Sequence, residues 1–183
     1  MRKVEREEIV DYHTYEDQRE AFRLEAIAAK ALRRVHVGHN LTFLFECPLT
    51  IRYQVQEMTR AERIVRDRDI QRELDTYNGL LGENGGLGAT LLIEIEDPKE
   101  RDVRLREWLA LPRHLYARLA DGSVVRATYD AAQIGDDRLS SVQYLKFPVR
   151  GQAPVAIGSD LPGFELESKL SDAQRQTLAE DLK

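Results

Sequence analysis

Leu41-Thr42-Phe43-Leu44-Phe45-Glu46, then Tyr53-Gln54-Val55-Gln56-Glu57-Met58-Thr59-Arg60-Ala61-Glu62, then Ala89-Thr90-Leu91-Leu92-Ile93-Glu94-Ile95-Glu96 are the stretches that decide the fold of this chain. The first and last have the period of two that a strand imposes on its side chains. Leu41, Phe43 and Phe45 share one face of the first. Ala89, Leu91, Ile93 and Ile95 share one face of the last, opposite Thr90, Leu92, Glu94 and Glu96. The first half of that last strand is apolar on both faces, which predicts a cover on each side. Between them, Pro48 suits the first turn of a helix, where its missing N–H leaves no bond unmade. Ile51, Val55 and Met58 then recur at helical spacing. Asp67 opens a second helix with the stripe Ile70, Leu74, Tyr77 and Leu81, and Gly82 with Asn84-Gly85-Gly86 forms the loop into the strand. The order is strand, helix, helix, strand.

Working outward, Thr14 with Asp17 reads as the N-cap of a long helix running to about Arg34. Its inner positions by spacing are Ala21, Leu24, Ala28, Ala31 and Val35. Lys30, Arg33 and Arg34 fall in its last turns, where the helix dipole favours cations, and Gly38 stops it. Downstream, Asp97-Pro98-Lys99-Glu100 combines an N-cap, a first-turn proline and a capping glutamate for a helix that buries Leu105 and Trp108. Strands from His114 to Leu119 and from Val124 to Tyr129 flank Asp121-Gly122, a hairpin signal. Ser141 to Phe147 is a further strand, Arg150 to Gly163 a loop with a short extended piece, and Phe164 to Leu170 a strand. Ser171 and Gln174 cap a last short helix. The prediction is one α+β domain over residues 1–183 with a mostly antiparallel sheet of about six strands. A long N-terminal helix, a central helical hairpin and a short C-terminal helix accompany it, and residues 150–183 read as a peripheral C-terminal segment.

The 183 residues are 42% hydrophobic and 32% charged, the balance of a globular protein with a heavily charged surface. A net charge of −5 argues against a nucleic acid partner. One cysteine, Cys47, allows no internal disulfide, and Met1-Arg2-Lys3-Val4-Glu5-Arg6-Glu7-Glu8 lacks the apolar run of a signal peptide. No apolar stretch has the length to cross a bilayer. The expectation is a soluble, cytoplasmic protein with no membrane association.

Taken together, the three opening stretches, Glu73-Leu74-Asp75-Thr76-Tyr77-Asn78 and Ser141-Val142-Gln143-Tyr144 resemble a bacterial family, the domain-of-unknown-function family numbered 3501. The resemblance spans most of the chain. It implies no reaction. Members are often encoded near rubrerythrin-like and iron–sulfur proteins, which implies an accessory role in redox or stress physiology and a protein partner from that setting.

The residues themselves point to the helical region. Tyr53, Gln56, Glu57 and Arg60 lie at i, i+3, i+4 and i+7 and share a face. Glu62 ends the same segment, and Glu73, Tyr77 and Asn78 on the next helix can meet it in a hairpin. This surface reads as a site for a protein partner or a polar ligand. A structural network is the competing reading, with Arg60 paired to a carboxylate and the amides bonded to backbone. An alternative is a metal-assisted or acid–base enzyme acting on a small polar substrate through Glu57, Glu62 or Glu73. Its metal ligands would be His36 and His39, although no Glu-x-x-His pair accompanies them. Cys47 has an acid for a neighbour and reads as an apolar filler, His13 and His114 as structural groups. The Lys30, Arg33, Arg34, His36 cluster lacks an aromatic RNA motif. The Asn84 to Gly88 loop precedes a strand, where a phosphate loop would follow one. No cofactor is predicted, and the weight of these readings is on an accessory or interaction protein without catalysis.

Overall fold

The alternating stretches become adjacent strands in the computed structural model, which describes residues 1–183. Strands β1 (Arg34–Val37), β2 (Leu41–Phe45), β3 (Leu87–Ile93) and β6 (Val142–Phe147) form one sheet in the order β1-β2-β3-β6. Strands β4 (Leu115–Arg118), β5 (Val124–Arg126), β7 (Ala156–Leu161) and β8 (Phe164–Lys169) form a second in the order β5-β4-β7-β8. Every pairing is antiparallel. The α+β class follows the sequence reading, but eight strands in two sheets replace about six in one. Phe43 lies opposite Leu91, and Leu91 opposite Gln143, so the inward residues of three strands stack in one layer. They meet the second sheet in a core of 24 buried residues. Thr128 and Lys146 exchange backbone hydrogen bonds of 2.8 Å, joining the chain beyond β5 to β6 and stitching the sheets together on that side.

The two added strands have simple causes. The first helix, α1 (Tyr12–Ala31), ends three residues earlier than spacing suggested, because Val35 and Val37 alternate and bury themselves as β1 beside β2. Asp11 rather than Thr14 is its N-cap and accepts from the His13 and Thr14 backbone N–H groups. Residues 150–183, read as peripheral, supply β7, an inner strand with Ala156 and Ile157 in the core, together with β8 and α6 (Asp172–Asp181). Arg33 forks onto Asp181 at 2.8 Å and 2.8 Å, tying that last helix to the end of α1. The Asp121-Gly122 turn and the Ser171–Gln174 capping box form as the sequence predicts.

Helices α2 (Pro48–Ala61) and α3 (Asp67–Asn78) make the central hairpin, with α1 packed against α2. The hairpin lies over the outer face of the first sheet, where Ile51, Tyr77 and Leu80 approach Leu44, Thr90, Leu92 and Tyr144. Close approach is forced near β3, where a Cβ on Gly88 would sit 1.7 Å from the Leu80 carbonyl oxygen. A second core of seven residues fastens the hairpin to an N-terminal strap through Val4 and Ile9 against Ile51, Val55, Ile70, Leu74 and Leu81. Helices α4 (Pro98–Glu107) and α5 (Leu111–His114) close the main core, and the Trp108 ring stacks on Phe164 at 4.1 Å.

One expectation about α1 is reversed. Ala21, Leu24, Ala28 and Ala31 are exposed, and Tyr15 and Ala26 are the buried positions. The inward face also carries Arg19 and Phe22. Arg19 is accommodated because Glu57 receives its guanidinium, and Arg52 lies over the Phe22 ring. Ion pairing and stacking across α1 and α2 therefore outrank the alanine stripe.

Candidate functional site

The polar groups singled out on α2 and α3 divide by their partners. Gln56 is fully buried; its Oε1 accepts from the Val10 backbone N–H at 2.7 Å and its Nε2 donates to the Val10 carbonyl at 3.2 Å. Asn78 repeats this on Val4, at 2.8 Å and 2.9 Å. Each amide imitates a strand neighbour for one residue of the strap. Glu57 accepts from the Tyr15 hydroxyl at 2.6 Å and from Arg19 at 2.8 Å and 3.1 Å, while Arg60 bridges Glu57 and Glu16. Burial works against a charge on Glu57, but the bonds from Arg19 and Tyr15 and the charges of Arg19 and Arg60 outweigh it, bringing its carboxyl down to about 2. Burial and the same contact push the Tyr15 hydroxyl upward. Tyr53 lies under the Lys30 ammonium, 5.1 Å from ring centroid to Nζ. Glu62 is exposed at the end of α2, and Glu73 is half-buried on α3. Of the eight residues, only Tyr77 lines a cleft with features of a ligand site.

That cleft, of about 280 Å³, opens between the hairpin and the outer face of the first sheet. Leu44, Leu80, Leu92 and Ile51 give it apolar walls, Tyr77 and Tyr144 aromatic ones, and Gln54 and Lys30 polar edges. At its base is Glu46, a carboxylate only 7% exposed. The Thr50 hydroxyl donates to its Oε2 at 2.6 Å and the Thr90 hydroxyl to its Oε1 at 2.7 Å. Glu46 belongs to none of the chain's ion pairs; Lys30, on the same cleft, turns its ammonium to Tyr53. Burial also pushes the Tyr77 hydroxyl upward.

The local sequence builds this base directly. Glu46 directly follows β2 and is held in register by its own backbone N–H, which donates to the Gly88 carbonyl at 2.9 Å. Cys47 is the N-cap of α2, where its side chain accepts from the Thr50 backbone N–H. Thr50 reciprocates by accepting from the Cys47 N–H at 3.0 Å, and the same hydroxyl then reaches Glu46. Thr90 sits opposite Leu44 on the neighbouring strand. The alternation carried the signal. If Phe43 and Phe45 point inward, Leu44 and Glu46 point outward with Thr90, at the end where β3 is apolar on both faces and therefore covered.

Further along the same face, the buried Thr42 donates to Glu94 at 2.6 Å, and His36 Nδ1 lies 2.9 Å from the Thr42 hydroxyl. His39 is exposed in the turn before β2. No group of three or more His, Cys, Asp or Glu side chains converges with metal-binding spacing. His114 pairs with Asp160 at 2.9 Å, and Arg33 of the basic cluster is bound to Asp181.

Two antiparallel sheets with a helical hairpin laid over one, and a buried carboxylate at the base of the cleft between them, define the class of α+β protein. The family model described as Protein of unknown function (DUF3501) matches residues 3–182, and the chain belongs to that family. It is similar to the crystal structure of a novel protein of unknown function from Burkholderia pseudomallei K96243, with 29% identity, a TM-score of 0.90 and 100% of each chain covered. No curated protein matches it. No helix is long and apolar enough to cross a membrane.

Proposed function

We propose that the Glu46 cleft binds a small molecule carrying an amine or guanidine group, and that the protein acts as an accessory binding protein rather than a catalyst. The observation that carries this is a buried carboxylate held by two hydroxyls and no cation. A buried charge is costly unless it is paired. Two hydroxyl donors satisfy part of the acceptor capacity of a carboxylate, and each oxygen keeps room for another bond. A cationic N–H head supplies the missing partner, with its apolar body between Tyr77, Tyr144, Leu80 and Leu92. The cleft volume of about 280 Å³ suits a metabolite-sized occupant.

Glu57 is committed to Arg19 and Tyr15, and Glu62 and Glu73 do not line the cleft. Acid–base chemistry here would have to pass through Glu46. In a cytoplasmic accessory role beside a rubrerythrin or an iron–sulfur system, an occupant would brace the hairpin and alter the surface it offers a protein partner.

Matched probes test the reading: butylamine and butylguanidine against butan-1-ol, followed by NMR of the labelled chain. The cations should shift signals of Glu46, Thr90, Tyr77 and Tyr144, and Glu46→Gln should lose the response while melting as the wild type does. Equal shifts from the alcohol, or undiminished binding in Glu46→Gln, would sink the proposal.

A further inference from the structure

The solvent-facing side of α1 offers something the cleft does not use. Leu24 is 59% exposed, Ile27 51%, and Leu32, just past the helix, 45%. These are three of the seven large hydrophobic side chains exposed anywhere in the chain, and they fall within nine residues. Ala21 before them, and Ala28 and Ala31 between them, are exposed as well. Positions 21, 24, 28 and 31 repeat in steps of three and four, the seam along which two helices pack. The alanines let another backbone come close. Scattered exposed hydrophobics need no explanation, whereas a continuous stripe at helical spacing marks an interaction surface.

Charge selects the occupant. Asp17 and Glu20 lie along this side near the start of α1, and Arg34 follows its end. A second α1 laid parallel would set Glu20 beside Glu20 and Arg34 beside Arg34. Laid antiparallel about a two-fold axis between Leu24 and Ala28, it sets the acidic end of each helix against the basic end of the other. The same axis brings Leu24 onto the partner's Ala28, large against small, and Ala21 onto its Ala31, two small side chains that let the backbones approach. We infer that this protein self-associates as a two-fold dimer through antiparallel packing of its α1 helices. A helix of this length extends about 30 Å, and one such pair buries an area at the low end of specific interfaces. The dimer is therefore concentration-dependent. The inference stands on the outer side of α1 alone and is independent of the cleft.

Sedimentation of the full chain across a concentration series tests it. The wild type should pass from monomer to dimer. Leu24→Glu, at an exposed position, should melt like the wild type and weaken association at least a hundredfold. Glu20→Arg and Arg34→Glu should each weaken it about tenfold or more, and the two combined should restore most of the loss, which only an antiparallel pair predicts. A wild type that stays monomeric to several hundred micromolar, a Leu24→Glu dimer of undiminished affinity, or a double variant no better than the singles would each overturn the inference. A monomer would leave the stripe to a different protein.

Discussion

Replacing Asn78 by leucine keeps the branching and number of side-chain heavy atoms and deletes both of its hydrogen bonds to Val4, a residue only 3% exposed. Were the strap to stay docked, the Val4 N–H and C=O would each be buried without a partner. At about 1–3 kcal/mol apiece, that amounts to about 2–6 kcal/mol. Peeling away the first few residues instead forfeits the burial of the Val4 side chain, about 1.5–3 kcal/mol. It also returns backbone freedom worth about 1–2 kcal/mol per released residue. Release is the cheaper path, so the net loss should be about 1–3 kcal/mol, or a melting temperature lowered by about 2–12 °C for a chain of this size. Hydrogen exchange locates it: the Val4 amide should exchange like open chain while the Val10 amide, still held by Gln56, stays protected. Asn78→Asp adds a pH signature. Its carboxylate can accept from the Val4 N–H but cannot donate to the carbonyl, and burial raises its pKa above the ordinary carboxylate range. Protonation returns the donor, so the deficit relative to wild type should shrink as pH falls and grow as pH rises through that raised pKa. An unchanged Val4 exchange rate in Asn78→Leu would refute the reasoning, as would a deficit in Asn78→Asp that does not depend on pH.

Glu57 has the opposite sign, since its carboxyl is lowered to about 2 from an ordinary 4.5. Its contribution is complete above the unfolded-state value and fades as pH falls through about 2, so urea titrations should show Glu57→Gln less stable than wild type near neutrality, with the gap closing in acid. Gly88→Ala should fail to give folded protein, because its Cβ would lie 1.7 Å from the Leu80 carbonyl oxygen. Gly122→Ala, in open space but with a φ of +86°, should cost only about 1–2 kcal/mol by thermal melting. Asp181→Ala strands the mostly buried Arg33 guanidinium and should cost about 3–5 kcal/mol by chemical denaturation, whereas Arg33→Met combined with Asp181→Leu should recover most of that loss.

Period-two alternation and capping residues carried the secondary structure because both act over a few residues. β2, β3, α2, the Asp121-Gly122 turn and the last helix were legible for that reason. The polar face on α2 was legible too, and so was the kind of bond its groups make, Arg60 to a carboxylate and the amides to backbone, but the particular partners were not. Gln56 and Asn78 bond to residues 46 and 74 positions away, and no local pattern announces a backbone partner at that distance. Glu46 escaped notice because its meaning depends on the cover above it, and Thr90, 44 positions further on, completes its environment.

By itself, the sequence determined most of the strands and helices, β1 and β7 excepted, which faces of β2 and β3 point inward, and where the Asp121-Gly122 turn falls, since local sterics and side-chain alternation settle these. Only the tertiary structure decided that the strands divide into two sheets, that α1 turns its alanine stripe to solvent, and that Glu46 has no cation. Those outcomes rest on pairing between distant segments, where the arginine–glutamate contacts of α1 with α2 outweigh the burial of a few alanines.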